Sequence, residues 1–429
     1  MINTILYPDK SAWKDLCSRP TQKNNFVNVI VSEIIGRVKS EGDKALYHYA
    51  ELFDKVTLSS LRVSEAEISG SENKVSNELK KAIAVAKSNI EKFHSNQIKE
   101  ETPIETMRGV KCWRKSVPIE KVGLYIPGGS APLFSTVLML GIPAKIAGCK
   151  EIIICAPTDK NGNIDPTILY TANLIGITGI FKIGGAQAIA AMALGTKTIP
   201  KVMKIFGPGN QYVTKAKELI THEGIAIDMP AGPSEVLVIA DNNANPQFVA
   251  SDLLSQAEHG IDSQVIMLTD SESLTKAVSE SIDAQLKELP RAQLASKALD
   301  NSMMIVFKSL DDCMEFSNMY APEHLIINTV NYSELSKKIL SAGSVFLGGF
   351  SCESAGDYAS GTNHTLPTNG FAKNYSGTST NSFCKEISFQ EITPEGLTLL
   401  GPTIETMAEA ESLTAHKNAV SIRLKSLQK

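Results

Sequence analysis

The chain is poor in features that define several large classes of protein. Its 429 residues include seven cysteines, an odd number, and no two of them have CxxC spacing. Neither a disulfide framework nor a cysteine zinc site is predicted, and we expect a cytoplasmic location, where thiols stay reduced. No apolar run of about 18 residues occurs, so neither a membrane-spanning helix nor a membrane partner is expected.

Neither positive nor negative charge is in large excess. The net charge of −4 at pH 7 gives no basic footprint, so a nucleic-acid partner is not expected. The first residues lack a basic stretch followed by an apolar one, so no secretory signal is expected. Composition is that of a globular protein, with 43% hydrophobic and 21% charged residues. The length exceeds one ordinary core, which predicts two or more domains.

The spacing of apolar residues changes along the chain. Helical spacing dominates the first hundred residues, at Phe26 to Phe53 and Leu79 to Phe93. Further on, short β-branched runs end in Gly or Pro and alternate with helical stretches, which predicts parallel sheets covered on both faces. The runs are 151–157, 179–184 and 202–207, and then 235–241, 265–270, 304–308, 324–328 and 344–348. The tail after Pro402 is predicted as one or two helices.

An acid and an imidazole stand side by side in Tyr-Ala-Pro-Glu-His-Leu, residues 320–325. Pro322 biases Ala321 away from helix, and the apolar run after His324 predicts that Glu323 and His324 stand at the start of a buried strand. Such a pair is a candidate acid/base couple, because both groups can be tuned toward neutral pH. A Glu beside a His on an ordinary surface turn would have the same sequence.

Three glycine-rich loops follow strand-like runs, at 125–130, 184–190 and 206–211. Glycines there let backbone N–H groups approach an anionic ligand at the start of a helix, and open α/β sheets bind ligands at the carboxyl ends of their strands. The GxGxxG fingerprint is absent, so each loop alone is equally compatible with a tight strand-to-helix turn. Three such loops together favour a nucleotide site.

The remaining candidate histidines lie near polar loops or helix ends. Gln256 and His259 are three residues apart at the end of a helical stretch, a spacing that suits a metal site or a helix C-terminus with a favourable imidazole. The segment 356–364 holds Asp357 and His364 and is predicted as a loop, either functional or a simple turn. His416, on the C-terminal helix, has no feature of its own that separates it from an exposed side chain.

Taken together, these segments resemble the histidinol dehydrogenase family from about residue 27 to 423. The agreement is ordered and spread over many separate motifs, which makes it more specific than any one of them. The motifs are Gly123-Leu124-Tyr125-Ile126-Pro127-Gly128-Gly129, Gly184-Gly185-Ala186-Gln187-Ala188-Ile189-Ala190, Gly207-Pro208-Gly209-Asn210, Ala231-Gly232-Pro233-Ser234-Glu235, residues 252–260, Ala321-Pro322-Glu323-His324-Leu325, residues 356–361 and Leu413-Thr414-Ala415-His416.

The resemblance implies an α/β fold with two incomplete, doubly wound, Rossmann-like parallel-sheet domains. A small helical N-terminal segment and a helical C-terminal domain are expected beside them. The implied division is an N-terminal extension at 1–25, a first α/β domain from 26–122 and 236–378, an inserted Rossmann-like domain at 123–235 and a C-terminal helical domain at 379–429.

The resemblance also implies an activity, namely the zinc- and NAD-dependent oxidation of L-histidinol to L-histidine through an aldehyde, in the last steps of histidine biosynthesis. One zinc ion per subunit and a homodimer with a shared active site are expected. The implied zinc ligands are Gln256, His259, Asp357 and, from the partner subunit, His416. Substrate contacts fall on these ligands and on Ser234, His324 and Glu411. NAD contacts fall on Tyr125, Gln187 and Asn210.

In the mechanism that follows from this reading, His324 is the base that accepts the alcohol proton, and Glu323 activates water at the aldehyde. Zinc serves as an orienting template, and NAD carries the redox chemistry. Three alternatives remain at this stage. One is a related dehydrogenase acting on another small alcohol. The others are a zinc hydrolase that uses Glu323, and a silent metal-binding or scaffold protein.

Overall fold

A computed structural model describes residues 2–19, 25–128, 132–230 and 232–428. The predicted loop residues Gly129 and Ser130, and Ala231 of a quoted motif, lie outside these ranges. The strands are β1 (Asn3–Leu6), β2 (Ile104–Met107), β3 (Val110–Pro118), β4 (Lys121–Tyr125), β5 (Glu151–Ala156), β6 (Gly179–Lys182), β7 (Lys204–Phe206), β8 (Ala226–Ile227), β9 (Glu235–Ala240), β10 (Gln264–Thr269), β11 (Met303–Val306), β12 (His324–Asn328), β13 (Ser344–Leu347) and β14 (Cys384–Ile392).

The α-helices are α1 (Trp13–Leu16), α2 (Asn25–Glu41), α3 (Asp43–Tyr49), α4 (Glu65–Ser71), α5 (Asn77–Ser95), α6 (Phe134–Ala147), α7 (Pro166–Leu174), α8 (Gly185–Leu194), α9 (Gln211–Ile220), α10 (Pro246–Ala257), α11 (Glu272–Leu286), α12 (Ala292–Asp300), α13 (Leu310–Tyr320), α14 (Tyr332–Ser336), α15 (Glu353–Tyr358), α16 (Pro394–Ala410) and α17 (Thr414–Ser426). A π-helical turn at Ala50–Asp54 extends α3.

The first parallel sheet has the order β6-β5-β4-β7-β8. Its central strand β4 is buried on both faces, with Leu124 in the core on one side and Tyr125 in the core on the other. The alanine-rich helix α8 packs so closely that residues 186–193 are all buried. The strand order reverses between β4 and β7, and a ligand crevice is expected at the carboxyl ends of strands at such a point.

The second parallel sheet has the order β1-β11-β10-β9-β12-β13. Every residue of β9 is buried, as the continuous apolar run predicted. Strands β9 to β13 repeat the arrangement of β4 to β8, with the first strand in the centre and the order reversing beside it. Two doubly wound parallel sheets are therefore confirmed.

A third, antiparallel sheet with the order β14-β3-β2 was not predicted. Most residues of β14 are exposed, so it lacks the apolar run that marked the other strands. Helix α16 begins at Pro394, before the predicted start of the tail, and Pro402 lies inside it. The two predicted C-terminal helices are present, and α17 has no buried residue.

The predicted domain division stays a prediction, and the packing differs from it at two points. Strand β1, from the segment 1–25, pairs with β11 at the edge of the second sheet. Helices α2 to α5, which the division groups with residues 236–378, share their apolar cores with the first sheet. Periodicity alone identifies a helix but not the sheet that it covers. Within the described ranges, no helix is long and apolar enough to span a bilayer.

Candidate active site

The Glu323–His324 pair lies at the amino edge of the second sheet. Helix α13 ends at Tyr320, and Ala321 adopts the left-handed conformation with φ 57° and ψ 70°, so the chain leaves the helix before Pro322 as predicted. Strand β12 then begins at His324, paired with Val236 near the start of β9. Both residues are buried, at 7% and 3% exposure, which rules out the surface-turn reading.

The Glu323 carboxylate is held by the main chain of β9. Its Oε2 accepts a hydrogen bond of 2.8 Å from the backbone nitrogen of Glu235. Burial disfavours the ionised form and raises the pKa of Glu323 to about 8, although His324 beside it acts in the opposite direction. A carboxyl with a pKa near neutrality can exchange protons under physiological conditions.

The two ring nitrogens of His324 have different surroundings. Nδ1 lies 3.0 Å from the Glu235 carbonyl oxygen and 3.0 Å from Gln256 Nε2. Nε2 makes no hydrogen bond and lies 3.5 Å from Asp357 Oδ1. Burial lowers the pKa of His324, but the surrounding carboxyls outweigh it and raise the pKa to about 10. Those carboxyls belong to Glu323, Glu353 and Asp357.

A group of potential metal ligands surrounds this imidazole. Ligand atoms of His324, Glu353 and Asp357 all lie within 4.8 Å of one another. Two buried acceptor atoms at this group, Gln256 Oε1 and Glu353 Oε2, have no hydrogen-bond partner. Buried polar atoms without partners are costly, and oxygen and imidazole donors in this combination suit a divalent cation.

Two of the four predicted zinc ligands meet at this point. Helix α10 runs back from the carboxyl edge and brings Gln256 to His324. Asp357 approaches from α15, which contains the first three residues of the segment 356–364. The loop prediction was wrong for residues 356–358, because six residues are too few to show a helical period, and it is confirmed for residues 359–364. His259 is exposed just beyond α10, its backbone nitrogen donating to Gln256 O at 3.2 Å.

The other predicted substrate and metal residues are more peripheral within one chain. Ser234 immediately precedes β9 and is partly buried. Glu411 follows α16 and His416 lies on α17, and both side chains are exposed. Neither His259 nor His416 belongs to the compact ligand group around His324.

A separate cavity of about 920 Å³ opens at the carboxyl edge of the first sheet. Tyr125, Gln187 and Asn210, the three predicted NAD contacts, all line it. Tyr125 is the last residue of β4, and Gln187 and Asn210 lie beyond the ends of β6 and β7, so the cavity includes the point where the strand order reverses. Its size and position are those of a dinucleotide crevice.

The glycine-rich loops bring the backbone close together in this cavity. Gly207 has φ +128°, and a Cβ atom there would lie 2.1 Å from the Tyr125 carbonyl oxygen. The Tyr125 hydroxyl accepts a 3.0 Å hydrogen bond from Gly185 N, and burial raises the pKa of this tyrosine to about 12. Asn210 caps α9, its Oδ1 accepting from Tyr212 N at 3.0 Å.

His364 connects helix α6, beside the first sheet, to helix α15, beside the second sheet. Its Nδ1 lies 2.9 Å from the carbonyl oxygen of Asp357, and its Nε2 lies 3.3 Å from Thr136 Oγ1 on α6. Helix α6 follows the first glycine-rich loop, so His364 connects the helix after the cavity to the residue beside His324. These contacts indicate a structural role for His364, and the role of Asp357 as a metal ligand stays a prediction.

The comparisons with known proteins agree with this geometry. Residues 17–424 match the family described as histidinol dehydrogenase. The histidinol dehydrogenase of Bacteroides thetaiotaomicron is 59% identical over 428 residues, covering 100% of both chains. That of Escherichia coli K12 is 54% identical over 418 residues, covering 97% of this chain and 95% of the relative.

A solved structure gives the same result. The crystal structure of histidinol dehydrogenase from Elizabethkingia anophelis matches with a TM-score of 0.98 and 60% sequence identity, covering 100% of this chain and 99% of that chain. The chain belongs to the histidinol dehydrogenase family. As a member, it is an NAD-dependent oxidoreductase of histidine biosynthesis. The hydrolase and scaffold alternatives are thereby excluded.

Three residues in this histidinol dehydrogenase site were not singled out from the sequence. Glu353 belongs to the ligand group and is 1% exposed, and Arg19 forms an ion pair with Glu235, the first residue of β9. Glu353 lies one helical turn before Asp357, a spacing that could have been noticed had α15 been predicted. Arg19 is more than two hundred residues from Glu235, and no local pattern connects them.

Proposed function

We propose that the chain oxidises L-histidinol to L-histidine through L-histidinaldehyde, reducing two NAD per turnover and using one zinc ion per subunit. The observation that carries the proposal is the buried pair Glu323 and His324 beside Asp357 and Gln256. Two successive oxidations need a proton acceptor for the alcohol and a second group that activates water at the aldehyde. The pair provides both at one point.

The residues present fit a divalent cation. Three carboxyls, from Glu323, Glu353 and Asp357, lie around one imidazole, and a bound cation would favour their ionised forms. Gln256 Oε1 is a buried acceptor without a partner, as expected of a ligand atom. Gln256, His259, Asp357 and the His416 side chain of a second subunit would hold the zinc. When bound, zinc orients the substrate and provides positive charge at the reacting end.

His324 is the proposed base for the alcohol proton. The Glu235 carbonyl can only accept a hydrogen bond, so its contact at 3.0 Å requires a proton on Nδ1 of His324. A bound cation would offset the carboxyls that raise the pKa of His324, so that the ring would be neutral and this tautomer would leave a free lone pair on Nε2, which has no hydrogen-bond partner. The contact of Nδ1 with Gln256 Nε2 requires the opposite tautomer, and we assign the first because only it gives a base at Nε2.

Glu323 is the proposed group that activates water in the second half of the reaction. Its Oε2 is anchored on Glu235 N, and its pKa of about 8 suits a carboxyl that takes a proton and releases it again. Burial excludes bulk water, so any water that reacts must enter the site itself.

The cavity at the first sheet is the proposed NAD site. NAD, when bound, accepts the hydride in each half of the reaction. Tyr125, Gln187 and Asn210 would contact it. The backbone at Gly207 packs closely against the Tyr125 carbonyl, which leaves space for a dinucleotide across the strand ends. Holding the two reactants in a fixed orientation supplies several kcal/mol of the barrier reduction.

A homodimer completes the proposed site. Helix α17 carries His416 and has no buried residue within one chain. The helices α16 and α17 and the residues that flank α17 also expose large apolar side chains, which a second subunit would cover; they are Leu399, Met407, Leu413, Ile422 and Leu427. We keep a cytoplasmic location as part of the proposal, since all seven cysteines are free thiols.

A substrate panel tests this function. NADH formation is followed by absorbance with L-histidinol and with small alcohols that lack either the imidazole or the amine. We expect measurable turnover with L-histidinol and a loss of at least about a hundredfold in kcat/KM without either group, because each unpaired polar contact is costly. Better turnover with another alcohol would indicate a related dehydrogenase instead.

A further inference from the structure

A buried ion pair lies directly behind the acid/base pair. The guanidinium of Arg19 donates to Glu235 through two bonds, from Nε to Oε1 at 2.9 Å and from Nη2 to Oε2 at 3.0 Å. Arg19 is 13% exposed and Glu235 is 2% exposed. The backbone nitrogen of Asn369 also donates to Glu235 Oε1, at 2.8 Å. Two parallel bonds of this kind fix both position and orientation.

The main chain of Glu235 contacts both members of the acid/base pair. Its nitrogen donates to Glu323 Oε2 at 2.8 Å, and its carbonyl oxygen lies 3.0 Å from His324 Nδ1. The same carbonyl lies 3.3 Å from Gln256 Nε2. The two peptide units that flank the Glu235 Cα therefore fix the position of the Glu323 carboxylate and the tautomer of His324.

Arg19 also holds the other end of the catalytic segment. Its guanidinium carbon lies 3.6 Å from the ring centroid of Tyr320, and Nη2 donates to the Tyr320 carbonyl oxygen at 2.8 Å. Tyr320 is the last residue of α13, and the left-handed turn at Ala321 leads from it to Glu323. Arg19 thus joins the start of β9 to the chain that enters β12.

We propose that Arg19 is a positioning residue of this reaction. It acts through Glu235 to hold the side chains of Glu323 and His324 in their positions relative to each other. The proposal rests on the roles given to these two residues under the proposed function. Arg19 itself touches neither of them through its side chain. The planar guanidinium binds a carboxylate, an aromatic face and a carbonyl at the same time. A lysine side chain cannot reproduce this set of contacts.

Stability alone does not account for the pair. Removing two charges from water is costly, and apolar residues of similar volume often serve a fold as well as a buried ion pair. What apolar residues could not supply here is the fixed direction of the Glu235 backbone. A shift of about 1 Å at a catalytic group can reduce turnover about a hundredfold.

The test uses the full-length, zinc-loaded enzyme and five variants, the last of which is a control. Arg19→Met removes the donors and keeps the apolar stem, Arg19→Lys keeps the charge without the fork, and Glu235→Gln keeps the shape of the acceptor. The double variant Arg19→Met/Glu235→Gln leaves no buried charge unpaired. Arg37→Met removes a matched Arg–Glu pair at the surface of α2, where Arg37 Nε lies 2.9 Å from Glu41 Oε1.

We expect Arg19→Met and the double variant to lose about a hundredfold in kcat, with zinc content and the KM for NAD within about twofold of the parent. Arg19→Lys should recover only part of that loss. The melting temperature should fall in Arg19→Met, which leaves Glu235 unpaired, and should recover in the double variant. The loss of kcat in the double variant despite that recovery separates positioning from stability.

The opposite result overturns the proposal. If the double variant regains the parent's kcat together with its melting temperature, Arg19 only neutralises Glu235. If Arg19→Lys is as active as the parent, the fork has no role. Failure of the proposed function is distinguishable from both, because the parent and Arg37→Met would then form no NADH from L-histidinol.

Discussion

His324 Nε2 lies 3.5 Å from Asp357 Oδ1, which places the proposed base next to a proposed metal ligand. The two residues come from different elements, the first position of β12 and the last turn of α15. A substrate alcohol held beside Asp357 would therefore be within reach of the free nitrogen of His324. This contact is the basis of the first prediction.

Replacing His324 with Asn should reduce turnover about 10²–10⁴-fold, because the general base is lost. Asparagine keeps an N–H that can donate to the Glu235 carbonyl, so the surrounding main chain should be retained. Zinc content, measured by elemental analysis, should stay near that of the parent. Loss of zinc together with activity would instead make His324 a metal ligand.

Replacing Glu323 with Gln should slow the oxidation of L-histidinaldehyde far more than the oxidation of L-histidinol. The amide is nearly isosteric and can stay beside Glu235 N, but it cannot accept a proton from water. Each half is followed separately by NADH formation, starting from the alcohol or from the aldehyde. Equal slowing of the two halves would contradict the role assigned to Glu323.

Replacing His416 with Ala should strip zinc from the enzyme, since a ligand is removed from the site. If each active site of the homodimer combines residues of both subunits, a second inactive variant should restore activity to this one. Random reassociation of His416→Ala with His324→Asn should restore about a quarter of the parent's activity, because half of the dimers are mixed and each has one complete site.

The control for that experiment is the reassociation of each variant with itself, which should stay inactive. Unchanged zinc content in His416→Ala would contradict the ligand assignment. A normal zinc loss without rescue in the mixed sample would place His416 in the same chain as His324.

Replacing Gly207 with Ala should weaken NAD binding, because the new Cβ would clash with the Tyr125 carbonyl oxygen at 2.1 Å and displace the loop. Gly224→Ala is the matched control, with φ +79° and no atom within 4 Å of the added Cβ. Both variants carry the cost of a positive φ, about 1–3 kcal/mol of stability. Only Gly207→Ala should raise the Kd for NAD in calorimetry, and equal affinity in the two variants would contradict the position assigned to the cofactor.

The parallel sheets could be predicted from the sequence because their strands are continuous apolar runs. The run beginning at His324 has the same bounds in the structure, and the proline before Glu323 correctly marked the end of α13. The glycine-rich loops were also assigned correctly to the ends of β4, β6 and β7, since strand, turn and helix follow one another locally.

The parts that were missed depend on contacts between distant segments. Strand β14 is mostly exposed, and its pairing with β3 joins residues 384–392 to 110–118. The Arg19–Glu235 pair joins the first segment of the chain to the centre of the second sheet. Burial made Glu353 part of the site, and a glutamate at the start of a six-residue helix carries no sign of burial in the sequence.

The number of NADH formed for each L-histidine produced is the sharpest check on the proposed reaction. Purified, zinc-loaded enzyme is given L-histidinol and excess NAD, and NADH and L-histidine are both quantified at completion. Two NADH for each L-histidine formed is the predicted result, since the proposed mechanism has both oxidations at the site of Glu323 and His324. One NADH per L-histidinol consumed, with aldehyde as the product, would contradict the account.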